Sequence, residues 1–97
     1  MGKLIILRGN SGSGKTTVAK ALQKKLGRNT MLISQDEVRR NMLWVDDGID
    51  TKALPLMAEL LRYGREHSEF SILEGIMYDE WYRSLFELAN ELYGSNV

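Results

Sequence analysis

The sequence predicts an α/β fold, a parallel sheet with helices on both faces. Two observations carry this. The apolar run L-I-I-L at residues 4–7 leads into a glycine-rich stretch and then a helical pattern. Two further short apolar runs, residues 30–33 and 70–73, are each followed by helix-type sequence, and strands alternating with helices make parallel sheets. The length of 97 residues allows at most one domain, covering residues 1–97.

Each element has a local reason. The first helix runs from about Gly14 to Leu26, with Val18, Ala19, Leu22 and Leu26 at helical spacing, and Gly27 and Asn29 stop it. The second strand, T-M-L-I at 30–33, has β-branched residues at both ends. Ser34 and Glu37 form an S-x-x-E capping box, so a helix begins near Gln35 and runs to about Leu43. Asp46, Asp47 and Gly48 make a turn. The stretch L-W-V-D-D at 43–47 also reads as an apolar run ending in acids. It continues directly from the amphipathic helix, so it is assigned as helix end and loop, with Asp46 and Asp47 near a substrate entrance.

A longer helix follows at 51–67, with Pro55 in its first turn or so, where a missing N–H costs little. The third strand is F-S-I-L at 70–73. The last helix spans 79–92, with Leu85, Phe86, Ala89, Leu92 and Tyr93 facing the core and Gly94 just past its end.

Composition excludes several classes. Thirteen basic and thirteen acidic residues give zero net charge, which argues against a dedicated nucleic-acid binder or a polybasic membrane anchor. Without cysteine there is no disulfide, thiolate zinc site or cysteine nucleophile. The lone histidine, His67, lies in a polar helix tail and reads as a solvated surface residue. No run is long enough for a signal peptide or spanning helix, so the expected location is cytoplasmic.

Residues 9–16 read G-N-S-G-S-G-K-T, a complete G-x-x-x-x-G-K-[ST] phosphate-binding loop between strand and helix. Gly9, Gly12 and Gly14 let the main chain approach an anion, while Asn10, Ser11 and Ser13 complete the loop. Amides from about Ser11 to Thr16 can point inward as a nest, and the helix N-terminus adds partial positive charge. Lys15 supplies a mobile cation for the β- and γ-phosphates of ATP. The Thr16 hydroxyl is the expected inner ligand for Mg²⁺, and Thr17 supports the α-phosphate.

Two further sites fall at strand ends, where ligands bind in α/β sheets. Asp36 closely follows strand two and can accept the proton of a hydroxyl that attacks the γ-phosphate. Arg39, three residues on, lies on the same helix face and can hold the acceptor within reach, whereas Arg40 points elsewhere. The same pair also fits an ordinary surface ion pair. Glu74 ends strand three in I-L-E-G, where an acid organises Mg²⁺ or substrate. Gly75 removes bulk beside it.

Taken together, G-N-S-G-S-G-K-T, S-Q-D-E-V-R and I-L-E-G resemble the P-loop kinases of small molecules. The first and third segments resemble uridine kinase and its relatives. The Asp36–Arg39 spacing looks more like the zeta-toxin and chloramphenicol-phosphotransferase branch. The resemblance implies a three-layer P-loop NTPase fold with the strands of this chain in the order 2-3-1. It also implies transfer of the γ-phosphate of ATP to a hydroxyl of a small molecule, such as a nucleoside like uridine. A nucleotide-binding module without turnover is the alternative. A GTPase would carry D-x-x-G after strand three and N-K-x-D, and neither string occurs.

Such kinases continue into a fourth strand, an arginine-bearing lid and a fifth strand. The sequence stops at Val97, so the C-terminal strands and lid are expected to be missing, and none of Arg62, Arg65 or Arg83 is assigned to a lid. In the order 2-3-1 the loop-bearing strand is an open edge, and its unpaired backbone invites a homo-oligomer through strand one.

Overall fold

The computed structural model describes residues 2–9 and 15–94, the side chain of Lys15 excepted. Strand β1 (Lys3–Arg8) is followed by helix α1 (Lys15–Leu26) and strand β2 (Met31–Ser34). A π-helix (Glu37–Leu43), helix α2 (Ala53–His67), strand β3 (Phe70–Gly75) and helix α3 (Asp79–Tyr93) complete the chain. The three strands are parallel in the order β1-β3-β2, so the expected 2-3-1 arrangement holds and β1 forms one edge.

Register and pleat decide which face each strand residue serves. Leu4 lies opposite Ser71, Ile6 opposite Leu73, and Leu73 opposite Ile33. These alternate positions face α2 and α3, where Leu4, Ile33 and Leu73 join Met57, Leu61, Tyr82, Leu85, Ala89 and Tyr93 in the main core. The intervening positions, Ile72 and Glu74, face the other way. Helix α1 lies on that side and contacts all three strands, with Ala19 fully buried. The result is three layers, with α1 on one face of the sheet and α2 and α3 on the other.

Helix α1 departs from expectation in one respect. Val18 is 54% exposed, because α1 meets its face of the sheet through the small Ala19 rather than along a full apolar stripe. Strand two begins and ends one residue later than expected. Thr30 stays outside the ladder, with its carbonyl taken by the Gln23 side chain at 2.9 Å. Strand three runs on through Glu74 and Gly75, which pair in register with Leu7 and Arg8. Helix α3 ends at Tyr93, with Gly94 at φ 56 beyond it, as its position in the sequence implies.

The segment after β2 is the largest departure. Residues 37–43 are π-helical rather than α-helical. The capping box is half formed. The Glu37 N–H donates to Ser34 Oγ at 3.5 Å, but the Glu37 carboxylate takes a hydrogen bond from Asn41 Nδ2 at 2.9 Å. The π-helix closes on Trp44, a non-glycine residue at φ 56, and the Val45 N–H returns to the Arg39 carbonyl at 2.9 Å. The stretch 44–50 is therefore loop, as read from its continuity with the preceding helix.

Candidate functional site

The carboxyl rim of the sheet gathers residues from four elements. Because β3 is pleated, Glu74 points to the α1 side while Gly75 points to the α2–α3 side. Glu74 is 2% exposed, and its Oε2 accepts a hydrogen bond from Thr16 Oγ1 at 3.4 Å. These are the two residues expected to serve a cation. They lie 58 positions apart in sequence and are brought together by the end of β3 and the first turn of α1. Both offer hard oxygen donors, a hydroxyl and a carboxylate, which is the donor chemistry Mg²⁺ takes. Among the described residues no cluster of three or more His, Cys or acidic side chains could hold a metal by itself.

Gly9 and Thr17 are exposed at the two ends of the loop. Asn10, Ser11, Gly12, Ser13, Gly14 and the Lys15 side chain lie outside the described residues. Arg8, just before Gly9, escaped the sequence reading. Its Nη2 donates to the Met77 carbonyl at 2.6 Å, and its guanidinium lies 4.4 Å from the centre of the Phe86 ring. That cation–π contact ties the end of β1 to α3. Arg8, Gly9, Met77 and Tyr78 line a cleft of about 360 Å³ beside the loop. A cation directly ahead of a glycine loop was the available signal.

At the end of β2, Asp36 is exposed and pairs with Arg39 Nη2 at 3.2 Å. Arg40 Nε also comes within 3.6 Å of the same carboxylate oxygen, which corrects the expectation that Arg40 points elsewhere. Position i+4 sits over position i on a helix, and the wide π turn keeps it there. The two arginines differ in burial. The Arg39 side chain is 16% exposed and that of Arg40 66%. Arg39 Nε is buried and, among the described residues, has no hydrogen-bond partner.

Next to this pair stands a polar chain that sequence reasoning did not find. Gln35, 2% exposed, donates from Nε2 to the Tyr82 hydroxyl at 2.9 Å. The Tyr82 hydroxyl donates in turn to Asp47 Oδ1 at 2.6 Å, which also accepts the Gly48 N–H at 2.9 Å. Burial pushes the Tyr82 hydroxyl pKa up strongly from its usual value, and the Asp47 hydrogen bond adds to this. The Gln35 hydrogen bond and the nearby Arg39 charge oppose it. Gly75 makes room for the arrangement. It sits at φ +146, and a Cβ there would lie 2.6 Å from Gln35 Cβ.

His67 is a surface residue, half exposed and stacked at 4.4 Å on Tyr63. Arg62, Arg65 and Arg83 are held by Glu59, the Leu92 carbonyl and Asp79 respectively. Among the described residues no helix is long and apolar enough to cross a membrane.

A parallel sheet with the order β1-β3-β2, a glycine loop between β1 and α1, and an acid at the end of β3 meeting the loop's threonine define a P-loop NTPase. The family model described as AAA domain matches residues 4–94, nearly the whole chain, and the chain belongs to that family. Membership brings P-loop nucleotide binding of a kinase-like type. A search of curated proteins returned no match.

Proposed function

We propose that this chain carries the nucleotide and acceptor sites of an ATP-dependent small-molecule kinase acting in the cytoplasm. The observation that carries the reading is the meeting of Thr16 and Glu74 at 3.4 Å on the rim that also bears Asp36. Residues 9–16 cradle the phosphates, with Lys15 on the β- and γ-phosphates. Thr16 and Glu74 hold Mg²⁺, which when bound neutralises charge on the phosphate oxygens. Asp36 takes the proton of the acceptor hydroxyl. Arg39, braced by burial, orients the acceptor so that its oxygen lies in line with the γ-phosphate. The nucleoside class, uridine among it, is one candidate acceptor. Chloramphenicol-like alcohols and sugars fit the same polar rim.

The test is acceptor-dependent ADP formation from ATP and Mg²⁺, with uridine, chloramphenicol and glucose as acceptors. Transfer to one of them by the wild-type chain, lost in Asp36→Asn with ATP affinity kept, is the expected result. ATP binding with no transfer to any acceptor supports the second reading, a nucleotide-binding module without turnover.

A further inference from the structure

The loop between the π-helix and α2 is fixed at several points. The Val45 N–H bonds to the Arg39 carbonyl, and the Thr51 hydroxyl donates to the Asp46 carbonyl at 2.8 Å. The Thr51 N–H reaches the Gly48 carbonyl at 3.2 Å. All of these are local to the loop and its flanks. The one side-chain hydrogen bond described from this loop to a distant element is that of Asp47 to Tyr82, 35 positions away. Tyr82 is fully buried in α3, and Gln35, beside Asp36, holds the same hydroxyl.

This geometry does two things. It places the Asp47 carboxylate two hydrogen bonds from the side chain of Gln35, the residue that precedes Asp36, with the Arg39 charge near enough to act on the shared Tyr82 hydroxyl. It also uses only one carboxylate oxygen. Oδ1 takes both the Tyr82 hydroxyl and the Gly48 N–H, while Oδ2 has no hydrogen-bond partner among the described residues. Asp47 is half-buried, so Oδ2 is an acceptor held in place at little further entropic cost.

We propose that Tyr82 is a positioning residue of the acceptor site, fixing Asp47 so that its second carboxylate oxygen receives a hydrogen bond from the acceptor. The inference rests on the kinase reading given above and deepens it. It specifies an acceptor that carries a second hydroxyl or an amine besides the attacking hydroxyl, as a diol or amino alcohol does. Arg39, whose partly exposed guanidinium pairs with Asp36, bonds to an oxygen of the same molecule.

Two variants separate anchoring from recognition. Tyr82→Phe keeps the ring in the core and removes the hydroxyl, so the loop loses its tie to α3. Asp47→Asn keeps an oxygen for Tyr82 and Gly48 and puts a donor where Oδ2 was. Both are assayed for ATP affinity, for hydrogen exchange of the amides at 45–51, and for transfer to whichever of uridine, chloramphenicol or glucose the wild-type chain phosphorylates.

Both variants should raise the acceptor KM about tenfold, the loss of one hydrogen bond to a charged group, with ATP affinity unchanged. Only Tyr82→Phe should speed exchange at 45–51. Where Tyr82→Phe fails to fold by circular dichroism, Asp47→Asn decides. If the wild-type chain transfers phosphate and Asp47→Asn leaves the acceptor KM unchanged, the inference is overturned and the kinase reading stands. If exchange at 45–51 is the same in folded Tyr82→Phe as in wild type, the anchoring role is overturned. If the wild-type chain phosphorylates none of the three acceptors, the kinase reading falls and this inference falls with it.

Discussion

At the end of β3 one contact joins two residues that the sequence already marks, the threonine of the glycine loop and the acid of I-L-E-G. At the end of β2, by contrast, Asp36, Arg39 and Arg40 form a pair of local ion pairs, and the longer-range order comes from Gln35, Tyr82 and Asp47. The first region is held by strand pleat and register, which the backbone enforces. The second depends on buried side-chain hydrogen bonds across three elements. Under the proposed kinase reading the first region would serve the nucleotide whatever the acceptor, and the second is where one acceptor would be told from another.

That contrast can be broken most sharply at Asp36. Asp36→Asn should cut phosphate transfer by roughly a thousandfold, the scale of a lost general base, while leaving ATP affinity within a factor of two. The check is single-turnover transfer alongside a nucleotide titration. Parallel loss of ATP affinity would move Asp36 into the phosphate region and erase the division between the two.

Gly75 lies at the seam of the two regions, one residue past Glu74 and against Gln35. Gly75→Ala should destabilise the fold by about 2–3 kcal/mol, since φ +146 disfavours a side chain and the new Cβ meets Gln35 Cβ. Thermal denaturation measures this, and an unchanged Tm would mean that β3 and Gln35 are not packed as described.

A smaller effect reports on the acceptor side through pH. Burial raises the pKa of both Tyr82 and Tyr93 above the ordinary 10.0. Below that value both native and unfolded chains keep these protons, so nothing is lost. Above it the unfolded chain releases them and the native chain does not. Stability should then fall with rising pH by up to about 1.4 kcal/mol per unit for each tyrosine. Denaturant titrations between pH 9 and 11 test this, and Tyr82→Phe should show a shallower slope. Equal slopes would indicate that Tyr82 is hydrated in the native state.

The sequence was most readable where chemistry is local. Strand–loop–helix continuity located β1 and α1, and Gly94 marked the end of α3 because a C-terminal cap needs its conformation. The placement of Glu74 beside Thr16 followed from a strand-end acid and the resemblance to known kinases. The π-helix was not legible, because S-x-x-E and an amphipathic pattern do not distinguish a π turn from an α turn over seven residues. Tyr82 read as one helix residue among several. Its partners Gln35 and Asp47 lie 47 and 35 positions away, and no spacing rule encodes such contacts. The burial of Arg39 against the exposure of Arg40 likewise depends on how the π-helix packs against α2 and β2, which periodicity along one segment does not report.

On the proposed reading, residues 9–16 bind the phosphates of ATP, with Thr16 and Glu74 serving the cation beside them. Isothermal titration of the chain with ATP and Mg²⁺, wild type against Lys15→Ala, tests it directly. Wild type should bind saturably and one-to-one, and the substitution should weaken binding roughly a hundredfold, the worth of a charge-assisted contact to phosphate. Equal affinity in the two proteins, or no binding by wild type, would contradict it.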